Sequence, residues 1–492
     1  MNLLDRVIAA ISPRAGLARH QARLALAHYD AASAGRRTGS LRPVQLDADG
    51  TARFKRARLA FVSRDMLRNT PLAARLQAVV TNNVIGDGIG WKVIGAGQAQ
   101  NKALTKALRR HLDSTDIDAD GRNTLYGLQR LAMNTVQDSG EVIIRRRWRR
   151  GSDGLALPFQ LQVLEPDFLD TLRDGTLANG NVVREGIEYD QIGRRVAYWL
   201  YREHPGATDR NFTLQLSSSR VPSEDVLHVY RQDRPGQMRG VSWFANVALA
   251  LQDLADHQDA QLLRQKIAAC FAAFRIPGDN VDGDDPAELS ETISPGRIQN
   301  LGPGEDIRFA TPPGVEAYDE FKRSVLRDIC AGWGVTYEAV SGDLTGVNFS
   351  SGRMGRMEMD RNVSSWQWHL IIPLMCQPIG RWALEAWDLV NGSNLVRSAE
   401  IGWVPPHRML VDPEGEVRMM RDKVRAGFTS RSEVIRALGE DPDSVAAEIE
   451  ADNATADEKA FTFDSDARRV SLSGVAQSVD PMTQDAGATN GK

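Results

Sequence analysis

Only three cysteines occur in 492 residues. Cys270, Cys330 and Cys376 stand far apart with no C-x-x-C, which argues against a disulfide framework or a zinc site and fits a reducing compartment. The eight histidines show neither H-E-x-x-H nor another ligand spacing, and no G-x-S-x-G offers a nucleophile elbow. No uncharged apolar stretch reaches membrane-spanning length. The opening Met1-Asn-Leu-Leu-Asp-Arg-Val-Ile carries Asp5 and too short an apolar run for a signal peptide. A soluble chain made in a cytoplasm is expected, with no membrane contact, no metal and no cofactor. No internal repeat is visible. A net charge of only −4 argues against a protein that coats DNA, which would be basic throughout.

What is present describes a globular chain. Hydrophobic residues make up 42% and charged residues 25%, enough for a real core. The length suits about three domains or one subunit of several parts. Charge is uneven: residues 1–75 sum to +9 and residues 439–492 to −8. That asymmetry suggests a basic arm and an acidic tail, unless both ends are simply solvated.

Residues 1–34 read as a helix and 36–50 as a linker. A helical pattern runs from Ala52 to Val84, broken at Asn69-Thr70-Pro71, where Pro71 suits a new start. Residues 125–137 look helical. Strand patterns follow at 142–148, 159–164, 196–202 and 225–230. The fold class is therefore α+β. From Ser242 to Phe274 there is no Gly or Pro, which allows one helix of roughly 33 residues or ~50 Å. Phe244, Val247, Leu251 and Leu254 form its apolar stripe, and Asp253, Asp256 and Asp259 recur on another side. A Gly/Pro/Asp-rich segment with short strand-like pieces at 297–301 and 307–309 comes next. A return helix then carries Tyr318, Phe321, Val325 and Ile329 and ends at Gly332 and Gly334. Residues 342–352 form a breaker-rich loop, followed by helices at 354–369 and 374–388. Asp412-Pro413 caps a helix closed by Gly427, and Ser430 with Glu433 is a capping box for one that Gly439 stops. Beyond about Asp452 the composition predicts disorder.

Four motifs suggest chemistry. Asp116-Ile-Asp-Ala-Asp-Gly121 copies half an EF-hand loop, but Gly127 stands where a bidentate Glu is required, so an Asp-rich turn is the better reading. Asn83-Val-Ile-Gly-Asp-Gly-Ile-Gly90 lacks the G-K-[ST] ending of a P-loop and reads as a helix stop. Arg145-Arg-Arg-Trp-Arg-Arg150 pairs basic and aromatic residues, as nucleic-acid sites do. On a strand, however, alternate residues face opposite sides, so the five arginines cannot line one groove. A neighbouring subunit's acids or plain solvent would serve equally. Glu165 and Asp167 form an acid pair with no nearby nucleophile, metal or base.

Several phrases in order resemble the lambda-like family of tailed-bacteriophage portal proteins. They are Tyr29-Asp-Ala-Ala32, Arg64-Asp-Met-Leu-Arg-Asn-Thr-Pro71, Asn82-Asn-Val-Ile-Gly-Asp-Gly-Ile89, Asp138-Ser-Gly-Glu141, Leu164-Glu-Pro-Asp-Phe-Leu-Asp170 and Gly186-Ile-Glu-Tyr-Asp-Gln-Ile-Gly193. The most distinctive is His228-Val-Tyr-Arg-Gln-Asp-Arg-Pro-Gly-Gln-Met-Arg-Gly-Val-Ser242. Leu301-Gly-Pro-Gly-Glu-Asp-Ile307 and Asp343-Leu-Thr-Gly-Val-Asn-Phe-Ser-Ser-Gly-Arg353 follow. The resemblance spans about residues 29–440.

The resemblance implies a portal-type elongated subunit with an α/β wing, long stem helices, a small β-containing clip and a helical crown. Placed on this chain, residues 1–51 are an arm and linker, 52–240 the wing and 241–276 a stem helix. Residues 277–315 are the clip, 316–341 the return stem helix and 342–353 the tunnel loop. Residues 354–404 are wing helices, 405–451 the crown and 452–492 an acidic tail. It also implies a homododecameric ring at one capsid vertex that passes double-stranded DNA without reading its sequence. The partners would be the terminase large subunit, capsid or scaffold proteins and head-completion proteins. No catalysis is implied, and no nucleotide site is visible.

A ring turns each axis-facing residue into a band of like charge. Asp253, Asp256 and Asp259, with Lys322, are the expected stem lining, the acids repelling phosphate so that DNA slides. Pairing of those acids with Arg264, Lys266, Lys322 or Arg327 of neighbouring helices is the alternative. Thr345, Asn348, Ser350, Ser351 and Arg353 are the expected DNA-touching residues of the loop. Gly346 and Gly352 are expected to tolerate proline unless either needs a positive φ or its N–H. The competing functions are a DNA-processing, metal-dependent nuclease and another structural phage protein.

Overall fold

The computed structural model describes residues 44–95, 97–207, 217–269, 273–276, 306–309, 318–406, 412–440 and 442–461, with 463, 466 and 468. The expected helix at 1–34, the 297–301 strand, most of the clip and most of the acidic tail lie outside the described residues. Two units are distinguished. One comprises residues 1–54 and 233–238, and the other holds the rest of the chain. In the first, Asp47 caps the short helix Ala48–Ala52 by accepting from Gly50 N at 2.7 Å. Asp49 accepts from Met238 N at 2.8 Å.

The second unit is mixed α+β. Helix α1 (Arg56–Asn69) and helix α2 (Pro71–Val84) meet at Thr70, where the proline starts α2 as expected. The Asn83–Gly90 segment is a turn: Gly86 and Gly88 have φ of +54° and +131°. It leads into strand β1 (Gly90–Ile94), then helix α3 (Gln98–Leu112) and helix α4 (Leu125–Ser139). Strands β2 (Glu141–Trp148) and β3 (Phe159–Leu164) follow. A meander of β4 (Gly175–Thr176), β5 (Val182–Arg184), β6 (Ile187–Tyr189), β7 (Arg195–Tyr201) and β8 (Ser218–Pro222) precedes β9 (Val226–Tyr230).

All these pairings are antiparallel, in a three-stranded sheet β3-β2-β9 and a five-stranded sheet β4-β5-β6-β7-β8. The strand period of two sets the layers. Val142 and Ile144 join α4 and the helices in the main core. Ile143 points the other way, into a second core with Ile187, Tyr198, Leu200 and Val221 of the meander. The smaller sheet is thus buried on both faces.

The expected single helix over 242–274 is corrected. Ser242 opens a 3-10 turn at Trp243–Asn246, and helix α5 runs over Ala248–Ala269, 22 residues. Ala273–Ile276 is strand β10, paired antiparallel with β11 (Asp306–Phe309). A ladder requires extended backbone, so Phe274 cannot be helical. Helix α6 (Tyr318–Trp333) returns antiparallel to α5, and Gly334 (φ +85°) ends it. Near one end of the pair Asn246 Nδ2 donates to Gly332 O at 2.9 Å. Further along, His257 packs on Tyr318 and Phe321 with ring centroids 5.9 and 4.6 Å apart.

Helix α7 is short (Tyr337–Ser341), and helix α8 (Phe349–Trp366) continues through a π-helical stretch, Gln367–Cys376, into helix α9 (Gln377–Asn391). The two separate helices expected here are one helical run. Pro373 sits inside the π stretch. It lacks an N–H and its ring clashes with an α-helical carbonyl, and the wider turn accommodates both. Strand β12 (Glu400–Val404) pairs with β1. Asp412 caps helix α10 (Pro413–Arg425), and Gly427 (φ +75°) closes it. Ser430 Oγ accepts from Glu433 N at 3.0 Å to open helix α11 (Arg431–Ala437). Disorder from Asp452 is also corrected. Helix α12 spans Pro442–Glu458, and Ala456 on it is buried.

Two glycines let distant segments touch. A Cβ on Gly240 would lie 2.0 Å from Gly140 O, and one on Gly140 (φ +89°) would lie 2.3 Å from the Val241 carbonyl carbon. Both displace backbone rather than a flexible side chain. Gly240→Ala is expected to destabilise by about 3 kcal/mol or more, as a buried steric clash does. Gly151→Ala, where a Cβ meets nothing within 4 Å, should stay within about 0.5 kcal/mol. Thermal unfolding of both variants checks the contrast; equal melting temperatures would contradict the packing described.

Candidate functional site

The most elaborate polar site is a buried knot of charge at the junction of α1, β2, β9 and the 239–242 segment. Glu141 begins β2 directly after the positive-φ Gly140. Its Oε1 accepts from Arg239 Nε at 2.9 Å and also from Arg239 Nη2. Its Oε2 accepts from Gly240 N at 2.8 Å and faces His228 Nε2 at 2.9 Å. A carboxylate only accepts, so that ring nitrogen carries the hydrogen. Arg239 Nη1 reaches Glu185 Oε2 at 3.0 Å, and Arg56 Nη1 reaches both Glu185 oxygens at 3.0 and 2.9 Å. All five residues are buried, Glu141 to 2% exposure.

Two guanidiniums thus balance two carboxylates. Burial opposes the Glu141 charge, but Arg239 and the His228 hydrogen bond outweigh it and hold this carboxyl well below the usual range. Burial pushes His228 down, against the pull of Glu141, and keeps it neutral. Sequence reasoning did not single out any of these residues. Four of them fall in or beside family-like phrases, but the pairing of positions up to 129 residues apart has no spacing signal.

Next to the knot lies a second cluster. Arg64 Nη2 donates to Asp167 Oδ2 at 2.6 Å and to Ser139 Oγ at 2.8 Å. Its Nε lies 3.7 Å from Glu165 and 4.0 Å from Asp138. His204 Nε2 is 3.1 Å from Glu165. Glu165, Asp167 and His204 bring donor atoms within 4.8 Å of one another, a set that could hold a divalent ion. The acid pair therefore has a base beside it after all, but Arg64 already compensates Asp167. Burial, outweighing Arg64 and the Ser139 hydrogen bond, pushes Asp138 up to about 6.

The three aspartates expected to line a stem lie on one helix. Asp253, Asp256 and Asp259 are exposed on α5. Asp256 accepts from Gln252 Nε2 at 2.7 Å, and among the described residues Asp253 and Asp259 have neither a side-chain hydrogen bond nor an ion pair. Leu251 and Leu254 are buried against α6, whereas Leu249, Leu262 and Leu263 are 82%, 50% and 59% exposed. Lys322 is half-buried on α6.

The expected 342–352 loop is shorter. Gly342 (φ +69°) closes α7, Gly346 (φ +76°) forms the turn, and Phe349 already begins α8. Thr345 N donates to Asp343 Oδ1 at 3.0 Å, and its hydroxyl donates to the same oxygen. Asn348 Oδ1 accepts from Ser351 N at 2.8 Å, while Asn348 N donates to Ser351 Oγ at 3.1 Å, a reciprocal cap. Thr345, Asn348, Ser350, Ser351 and Arg353 are all exposed. Proline is excluded at Gly346 by its φ, and at Gly352 because its N–H donates to Asn348 O at 2.9 Å.

The other motifs resolve simply. The Asp118 carboxylate accepts from the backbone of Asp120, Arg122 and Asn123, so the half EF-hand is an Asx-type turn. The arginine run alternates. Arg146 is buried between Trp148 and Trp382 and ion-paired to Asp225 and Glu385 at 2.8 and 2.6 Å. Arg145 and Arg147 face the opposite side.

Comparison with known proteins decides the family. The model described as "Phage portal protein, lambda family" matches residues 34–367. The chain belongs to the lambda family of phage portal proteins. That family is structural and non-enzymatic. A "Probable portal protein" of Halomonas phage phiHAP-1 is 27% identical over 422 residues, covering 79% of either chain. Portal protein B of Escherichia phage lambda is 21% identical over 336 residues, covering 60% of this chain and 62% of that one. Among solved structures, a chain of the neck of a native GTA particle computed with C12 symmetry is 17% identical with a TM-score of 0.48. It covers 82% of this chain and 97% of that one.

Arg239→Ala would leave the buried Glu141 carboxylate without its guanidinium and Glu185 with Arg56 alone, and is expected to cost about 3–5 kcal/mol. Guanidinium denaturation of the variant measures it, and a loss below 1 kcal/mol would contradict the knot's role. The Asp138 carboxyl gives a pH signature. Its folded value lies above the ordinary carboxylate value, so its protonated form favours folding and stability falls as pH rises through about 6. Asp138→Asn removes the charged form. The variant should melt a few degrees above the parent at pH 7.5 and level with it at pH 4.5.

Proposed function

We propose that this portal-family chain assembles into a dodecameric ring at one capsid vertex, whose axis carries double-stranded DNA during packaging and ejection. The observation that supports it best is the unit α5–β10/β11–α6. An antiparallel helix pair bears a strand ladder at one end and leaves large apolar side chains exposed beside three uncompensated aspartates. Leu249, Leu262, Leu263 and Phe321 are exposed along the helix pair, and in a ring another copy would cover them. In this reading α5 and α6 form the stem, the β10/β11 ladder the base of the clip, and the sheets with α1–α4 the wing. Residues 342–353 act as the tunnel loop and α10–α11 belong to the crown.

Ring symmetry makes each of Asp253, Asp256 and Asp259 a circle of negative charge. Every Lys or Arg contact to phosphate would add counterion-release affinity and slow the strand; acids avoid that grip. The energy for movement comes from a separate motor, the terminase large subunit, docked on the ring. Capsid or scaffold proteins surround it, and head-completion proteins replace the motor afterwards. The mature ring then resides in the virion. In the loop, Ser350 and Arg353 offer the polar contact to DNA, because Asn348 and Ser351 hold each other and Thr345 holds Asp343.

Light scattering and negative-stain microscopy of the purified chain should give rings with a central hole. Leu262→Asp with Leu263→Asp should reduce rings at least tenfold while leaving the melting of the wing intact. Only compact monomers of the parent at every concentration would overturn the ring. Neutralising Asp253, Asp256 and Asp259 to Asn should raise retention of duplex DNA by rings at low salt at least fivefold. Unchanged retention would show that these acids do not face the strand.

A further inference from the structure

The face of β2 opposite Arg146 opens into a recess of about 380 Å³ between the two sheets, lined by Arg145, Arg147, Gln162, Tyr201, Arg202 and Ser219 among others. Its composition follows from the pleat. Residues 143, 145 and 147 share one face of β2, and Ile143 on that face packs into the second core. Arg145 and Arg147 continue the row past the core edge, where β7 ends at Tyr201 and Arg202 follows.

Among the described residues no carboxylate lines the recess. Among the described residues, none of these three guanidiniums has a hydrogen bond or ion pair. Arg145 Nε is shielded from solvent and has no partner. Asp225 acts on Arg145 electrostatically, but its Oδ1 is held by Arg146 at 2.8 Å. Asp170, the other nearby acid, accepts from Tyr201 Oη at 2.8 Å and from Ser218 Oγ at 2.5 Å. Burial and the neighbouring Arg147 push the Arg145 guanidinium down.

A buried donor left without an acceptor is costly, and like charges held together are costlier still. The fully buried arginines of this unit, Arg56, Arg146 and Arg239, each meet a carboxylate, as does the partly buried Arg64. The exception therefore points to a ligand. We propose that this recess is an oxyanion site that takes one phosphate group, gripped by the Arg145 and Arg147 forks with Arg202 at the rim. Guanidinium forks match tetrahedral oxyanions in bidentate geometry, and three positive charges suit a dianion better than a single carboxylate. The volume exceeds that of one phosphate, so a phosphate carried on a larger molecule also fits. Free inorganic phosphate and a phosphate of a nucleic-acid strand share this chemistry.

The site does not depend on the channel reading, because binding can be measured whether or not rings form. Inorganic phosphate is titrated calorimetrically into the full chain at constant ionic strength, balanced with chloride. Saturable binding is expected, with Kd raised at least tenfold in Arg145→Gln/Arg147→Gln. If that double variant fails to fold by circular dichroism, Arg202→Gln, at an exposed position, must weaken binding at least threefold. Displacement of phosphate by an oligonucleotide assigns the site to nucleic acid, and no displacement assigns it to the free ion; either leaves the oxyanion site standing. Absence of saturable binding, binding unchanged in the folded variants, or equal binding of acetate would overturn it.

Discussion

The arrangement of α1, β2 and the meander depends on one buried guanidinium. Arg239 bridges Glu141 at the start of β2 and Glu185 in the turn before β6, and through Glu185 it is linked to Arg56 on α1. Removing four charges from water is expensive, and attraction among them compensates only if every oxygen and N–H finds a partner. The chain meets that demand with backbone as well as side chains. Gly240 N donates to Glu141, and Asp174 accepts from Glu185 N at 2.8 Å. Glu185 itself has φ of +48°, a strained conformation for a side-chain-bearing residue, held by its three-way pairing. Such a knot gives orientation more than net stability: helix, sheet and meander can meet in only one register if all the charges are to be satisfied.

Around that point the apolar layers follow simple rules. β2 sends Val142 and Ile144 to one core and Ile143 to the other, so its pleat alone decides which sheet face meets helices and which meets strands. Further along the same strand, the alternation that buries hydrophobics sorts the arginines. Arg146 goes to a stacked, ion-paired slot and Arg145 and Arg147 to an open recess. One run of basic residues therefore serves two environments.

Much of this was legible in the sequence because it is local. The break before Pro71, the strand at 159–164, the α4 helix and the caps at Asp412 and Ser430 rest on neighbouring residues, and they stand within a residue or two of expectation. The α+β class followed from those elements. What failed was also physical. The absence of Gly and Pro permits a helix over 242–274, but a non-local strand pairing at Ala273–Ile276 overrides permission. A break was expected between His369 and Leu374, yet packing of Leu370, Ile371, Met375 and Cys376 in the core keeps the run helical through a wider turn. The loop residues Asn348 and Ser351 were read as free polar groups, whereas their short side chains cap the helix that follows. The buried knot left no periodicity at all, since its members come from five separate segments.

The pairing of β1 with β12 joins Gly90–Ile94 to Glu400–Val404. On the ribosome, β1 waits as an unpaired strand edge until the chain has been synthesised past Val404, roughly 15–60 s at usual elongation rates. Glu185 and Arg56 likewise wait for Arg239. The nascent chain thus exposes sticky strand edges and unbalanced charge for most of its synthesis. Late closure leaves that strand edge open to mispairing until its partner emerges. It also delays the finished fold until the chain has been made past Val404.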